Sequence, residues 1–233
     1  MQTSDTDQLH RVKRTAEALR AALPQELCAD ASNPNAGILF KVALFRELLM
    51  HRLCDFVDST LPLCEGDRLI PALVLTRAAA ETTVMLCWLH QKLAQFIKTK
   101  DKVTLERFLV KGTFGNSRST VLDQVCDVLM VVDRLDKEAQ GFKQMYNVVC
   151  EFTDTNYAAA LGTFGQIDKN RNTLNLGKRQ LNLSNHWAGS LLMVCLKLAR
   201  EYYGKISEIL AGFEGVADQA YDRGWKNKVD RNF

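Results

Sequence analysis

Between Leu69 and Leu89 the chain reads Leu-Ile-Pro-Ala-Leu-Val-Leu-Thr-Arg-Ala-Ala-Ala-Glu-Thr-Thr-Val-Met-Leu-Cys-Trp-Leu, with Arg77 and Glu81 as the only charges. Four residues apart, these two share one face of a helix and can reach each other. An isolated buried charge costs several kcal/mol, so the two must pair or face a polar site. The helix is therefore either a strut that specifies packing or the wall of a functional pocket. The run is long enough to span a bilayer, but the charges lie at its centre, so it reads as a core helix and no membrane is expected as a partner.

A chain of 233 residues can bury a sizeable core. A formal charge of +3 does not by itself announce nucleic-acid or membrane binding. The polar start, Met-Gln-Thr-Ser-Asp-Thr-Asp, lacks the apolar core of a signal peptide. The seven cysteines (28, 54, 64, 87, 126, 150 and 195) contain no C-x-x-C pair, and most stand in apolar helical contexts. Their odd number and irregular spacing argue against a disulfide framework and against a zinc site. They read as small core hydrophobes, and the expected location is the cytoplasm.

Helical periodicity dominates the chain. Residues 5–23 form an amphipathic helix with Leu9, Val12, Ala16 and Leu19 on one stripe. Asn33-Pro-Asn-Ala-Gly is a turn, and an apolar helix follows from Ile38 to Ser59, broken by Leu61-Pro-Leu-Cys-Glu-Gly. Asp67 is the expected N-cap of the central helix, with Pro71 in its opening turn; this helix runs to Lys98 and is expected to be the longest. Asp101 caps a helix to Lys111, and Gly112 opens a loop. Helices over 120–132 and 137–152 follow, separated by Asp133-Arg-Leu-Asp-Lys. Residues 153–183 are rich in Asn, Thr and Gly, so an irregular segment or short hairpin is expected near 160–183, with Asn175 to Leu183 suiting a hairpin or an extended loop. Asn182 or Ser184 caps a last helix to about Phe213, followed by a basic, aromatic tail over 221–233. The expected architecture is one all-α domain, a bundle of six to eight helices with its core over 38–213.

No P-loop, G-x-G-x-x-G, H-E-x-x-H, G-x-S-x-G or EF-hand is present, and no cofactor or metal is expected. The four histidines (10, 51, 90 and 186) are dispersed. One constellation is Arg46-Glu-Leu-Leu-Met-His51, whose spacing is similar to the Arg-x4-His pattern of HEPN-type ribonucleases. There the resemblance implies an arginine on the pentavalent phosphate and a histidine moving the proton of the ribose 2′-hydroxyl. Five residues of continuous helix, however, turn a side chain by roughly 140°, so the two groups diverge. The plainer reading makes Arg46, Glu47 and His51 the polar edge of a buried helix, with Glu47 and His51 paired.

A second constellation closes the helix Tyr146-Asn-Val-Val-Cys-Glu-Phe-Thr-Asp-Thr-Asn156. Glu151 and Asp154 oppose the helix dipole there and so imply a partner: Arg77, a lysine or a metal. A metal site of the di-iron bundle type would carry Glu-x-x-His pairs, which are missing. The alternative is a buried Arg–Glu network that fixes how two helices pack.

Leu75-Thr-Arg-Ala-Ala-Ala-Glu-Thr, followed by Tyr146-x3-Cys-Glu-Phe and an Asn-containing turn, resembles a group of uncharacterised bacterial all-helical proteins similar to HEPN-like domains. The resemblance spans residues 38–213. It matches Arg77 and Glu81 to that group's Leu-Arg-x3-Glu helix, and Tyr146, Glu151, Phe152 and Asn156 to its Tyr-x3-Ser-Glu-Phe-x-His-Pro-Asn segment. It implies a polar centre of Arg77, Glu81, Glu151, Asp154 and Asn156. Asp154 and Thr155 stand where the group shows His-Pro, and an aspartate delivers no proton near neutral pH unless its pKa is raised strongly.

Basic residues form the remaining feature. Lys98, Lys100, Lys102, Arg107 and Lys111 surround one helix junction. Lys169, Arg171, Lys178 and Arg179 follow in the irregular segment, then Trp225 and Lys226 in the tail. Cations interleaved with aromatics can hold single-stranded nucleic acid, although a solvated surface has the same composition. Two functions are therefore weighed. One is a non-enzymatic helical interaction module, homo-oligomeric or with a protein partner, such as a component of a bacterial defence or toxin–antitoxin-like system. The other is a HEPN-like RNA endonuclease using Arg46 and His51.

Overall fold

The computed structural model describes residues 2–27, 36–114, 128–154, 160–177 and 184–221. Helices α1 (Gln2–Ala22), α2 (Ala36–Glu65), α3 (Leu69–Thr99), α4 (Lys102–Phe114), α5 (Val128–Glu138) and α6 (Phe142–Thr153) come first. The single-turn helix α7 (Leu161–Phe164) leads into strands β1 (Gly165–Asp168) and β2 (Thr173–Leu176), and α8 (Ser184–Tyr221) closes the described chain. The protein is an all-α bundle carrying one small antiparallel hairpin.

α3 is the hub: it packs along α2 and α8 and also meets α4, α5 and α6. Its small residues Ala72, Ala79 and Ala80 are fully buried, as are Leu86, Cys87, Leu89 and Leu93. The buried hydroxyls of Thr76, Thr82 and Thr83 donate to the carbonyls of Ala72, Ala78 and Ala79 at 2.8, 2.8 and 3.0 Å, so these threonines leave no orphan donor in the core. Among the described residues α3 is the one helix long and apolar enough to cross a membrane by length and composition, and 61% of its most apolar window is buried inside the protein. Leu9, Val12 and Ala16 of α1 are buried, and the helix lies on α8 and α2 as its stripe predicts.

Several boundaries differ from expectation. α2 is not broken at Leu61-Pro; it continues through Pro62 to Glu65 because Leu61 before the proline and Cys64 after it are both buried in the core. Asp67 does not cap α3. It adopts a left-handed conformation (φ 51°) that closes α2, where Asp67 N–H donates to the Cys64 carbonyl at 3.2 Å and Arg68 N–H to the Leu63 carbonyl at 2.7 Å. Arg68 is the N-cap of α3 without a side-chain cap, and Pro71 removes a donor that the first turn could not have used. α4 runs past Lys111 to Phe114: glycine at 112 leaves room for the Phe45 ring, whose Cζ would lie 2.6 Å from an added Cβ.

α5 continues through Asp133-Arg-Leu-Asp-Lys because Val131, Val132 and Leu135 are buried. The break falls at Gly141 (φ 92°), where Asp136 Oδ1 accepts from the N–H groups of Gly141 and Lys143, both at 3.0 Å. The hairpin lies at 165–176, within the expected 160–183 segment, but Asn175 and Leu176 end it instead of opening it. α8 reaches Tyr221 and, at 38 residues, is longer than the 31-residue α3. The expected cap at Asp101 is present, with its Oδ1 accepting from Thr104 N–H at 3.1 Å.

Candidate functional site

The polar centre forms where α3 passes the end of α6. Arg77 Nε donates to Glu81 Oε1 at 3.0 Å, and Arg77 Nη1 donates to Asp154 Oδ1 at 2.6 Å and to Thr153 Oγ1 at 3.0 Å. Tyr146 OH reaches Glu81 Oε1 at 3.4 Å from about two turns earlier on α6. The guanidinium is thus held by two carboxylates and joins two helices. Asp154 supplies a third charged member, and the expected Glu151 lies exposed on the same helix. Asn156 lies outside the described residues.

The centre is also wetter than its apolar sequence context implies: the side chains of Arg77, Glu81 and Asp154 are 32%, 26% and 58% exposed. α6 covers one side of the Arg77–Glu81 pair through Tyr146, Thr153 and Asp154, and water reaches the exposed remainder. Burial, the largest single influence on Arg77, works against its charge; the bonds to Asp154 and Glu81 outweigh it and raise its pKa further. Burial also pushes the Tyr146 phenol well above its usual range, and it pushes up the Cys150 thiol, which Arg77 opposes. The phenol and the thiol both stay protonated at neutral pH. The arrangement holds helices together and has no nucleophile or proton carrier among those two groups.

Arg46 and His51 are not brought together. Arg46 is directed at α8, where its Nη1 donates to Ser207 Oγ at 2.8 Å and its guanidinium stacks 4.1 Å from the centre of the Tyr203 ring. Its Nε and Nη2 lie 2.8 and 2.6 Å from Glu47 Oε1. Glu47 therefore pairs with Arg46, not with His51. His51 Nε2 instead lies 3.4 Å from the Pro24 carbonyl, beyond the end of α1. The rotation along an unkinked helix has its expected consequence. This pair is the more deeply buried one, with side chains 10% and 5% exposed, and Glu47 Oε2 is enclosed without a hydrogen bond. Tyr203 beside it has its phenol pushed up, by burial first and by Glu47 in part, against the pull of Arg46.

Of the basic candidates, Lys169 and Arg171 are exposed in the hairpin turn, with Arg171 Nε 3.9 Å from Asp168 Oδ2. Lys178, Arg179, Trp225 and Lys226 lie outside the described residues. Cys54, Cys64, Cys87 and Cys195 are buried free thiols, and burial raises each of their pKa values, Cys195 to about 12. Among the described residues no three His, Cys, Asp or Glu side chains gather as metal ligands.

Two surface features escaped the sequence reading. The first is the apolar face of the hairpin: Ile167 stands opposite Leu174 in the register, Leu176 is two residues on, and all three are exposed, Leu176 by 80%. The alternation Ile167, Leu174, Leu176 against Gln166, Asp168, Asn175 was its available signal. The second is a basic groove between α1 and α8 of about 670 Å³. Its cations come from segments far apart in the chain, so no local pattern announces it. Comparison with known proteins adds no relative: no family model, no curated protein and no solved structure matches the chain.

Proposed function

We propose that this chain is a non-enzymatic helical interaction module that assembles with a second copy of itself through the hairpin. The observation that carries this reading is the apolar hairpin face, set on a segment that contacts the bundle little. Contiguous exposed apolar side chains mark interaction sites. β2 pairs with β1 on one edge, and its other edge has no strand partner among the described residues. Two such edges aligned antiparallel about Asn175 set Leu174 of one copy opposite the second copy's Leu176, so one apolar face continues across four strands. Turn charges of both signs, Asp168 beside Lys169 and Arg171, suit such a symmetric contact. The separation of Arg46 from His51 supports the non-enzymatic half of the reading.

Light scattering after gel filtration tests it, with wild type expected at about twice the 26.3 kDa chain mass and Ile167→Asp with Leu174→Asp at the chain mass. An unchanged mass in the variant sinks the hairpin contact. In parallel, total RNA incubated with the protein should gain no 2′,3′-cyclic phosphate ends. Cleavage abolished by His51→Ala would replace the module with the nuclease.

A further inference from the structure

A trough runs along α1 and α8 on from the hydrogen bond between Gln8 Nε2 and Ser190 Oγ, 2.8 Å long. Arg11 and Arg14 stand on the α1 side, Lys197 and Arg200 on the α8 side, and all four are exposed. None of them forms an ion pair with a described carboxylate, and among the described residues no acidic side chain lines the groove. The floor is apolar and partly built from small side chains: Ala18, Leu19 and Ala22 from α1, Met193 and Leu196 from α8. Along α1 the lining recurs at residues 11, 14, 15, 18, 19 and 22, a stripe of three turns or roughly 16 Å.

We infer that this groove receives an acidic amphipathic helix of another protein. The inference rests on the reading of the chain as an interaction module, but it uses a different surface. A helix about 10 Å across, half sunk over that 16 Å, occupies on the order of 600 Å³, which the groove of about 670 Å³ accommodates. An apolar ridge at i, i+3, i+4 and i+7 would cover Ala18, Leu19 and Met193, which keep surface exposed, and carboxylates flanking it would meet the cations on both sides. Single-stranded RNA fits less well because among the described residues no aromatic side chain lines the groove for a base to stack on. A membrane surface calls for a convex apolar face, and this one is concave.

The probe is a fluorescein-labelled, helix-stabilised peptide of about 18 residues with leucines on one stripe and glutamates beside it, titrated with the full chain and read by fluorescence anisotropy. Saturable binding is expected, weakened at least about tenfold by Arg14→Glu with Lys197→Glu, two exposed positions. The same peptide with lysine in place of glutamate should bind that double variant and not wild type. A scrambled peptide that binds equally well, binding indifferent to the charge reversal, or no binding at about 100 μM chain overturns the proposal. So does displacement of the peptide by a short oligouridine or by phosphatidylglycerol vesicles that bind more tightly with the same charge dependence. Ile167→Asp with Leu174→Asp should become monomeric and leave peptide binding unchanged; a wild-type chain that is monomeric and still binds would refute the hairpin contact alone. A dimer that does not bind would refute the groove alone.

Discussion

At the scale of single residues, two arginine–glutamate pairs look alike in sequence and differ in physics. Arg77–Glu81 stands in the most apolar run of the chain, and a several-kcal/mol penalty for breaking it follows from that context alone. In the fold it is a third exposed and shared with Asp154, so water offsets much of what the pair contributes. Arg46–Glu47, at adjacent positions in an unremarkable helix, is sealed between α2 and α8. Glu81→Ala is therefore expected to cost about 1 kcal/mol, and Glu47→Ala about 3 kcal/mol because it strands a buried guanidinium. Urea denaturation at neutral pH measures both, and equal costs would refute the contrast. Arg46→Met with Glu47→Leu should recover most of the loss, since apolar replacement of a buried pair is close to neutral. Burial of a given side chain is a property of what packs over it, and a window of neighbours in sequence does not contain that information.

At the scale of elements, helix existence was legible and helix ends were less so. The stripe Leu9, Val12, Ala16 and the cap at Asp101 are local patterns, and both appear as read. Ends set by tertiary packing went elsewhere: Pro62 stays within α2 because core residues follow it, and α5 passes through a charged stretch because Leu135 is anchored beneath it. Left-handed residues decide the rest. Lys100 closes α3 with φ 56°, its N–H donating to the Phe96 carbonyl at 2.8 Å, and its exposed side chain has a Cβ that this conformation disfavours. Lys100→Gly is expected to stabilise by about 0.5–1 kcal/mol, which for a chain of this size raises Tm by roughly 2 °C, whereas Lys100→Val should lower it. Differential scanning calorimetry reads both, and a fall in Tm for the glycine variant would refute the assignment of strain to this position.

At the scale of the whole molecule, α5 and α8 are tied together across α3 by a polar cluster that no sequence pattern connects. Tyr202, fully buried, donates to Glu138 Oε2 at 2.8 Å, and Arg134 and Lys205 lie 3.6 and 3.7 Å from the same carboxylate. His90 of α3 sits against the Tyr202 ring at 5.4 Å with its Nδ1 enclosed. Burial first, then Lys205 and Arg134, lower its pKa below the ordinary 6.5, with Glu138 opposing. On acidification the unfolded chain then takes up the proton first, so the stabilisation is complete above about 6.5 and is lost as pH falls through the lowered folded value. Tm should fall between neutral pH and pH of about 5, and His90→Gln should fall less over the same interval; parallel curves would refute the role. Apolar periodicity and composition determined by themselves that this chain is a helical bundle centred on 69–99, because the cost of hydrating such stretches is paid locally, residue by residue. The tertiary structure alone decided which charges are dry, that Arg46 and His51 point apart, and that four cations from α1 and α8 line one groove. Those outcomes depend on distances between segments remote in sequence, and packing sets them only once the helices have docked.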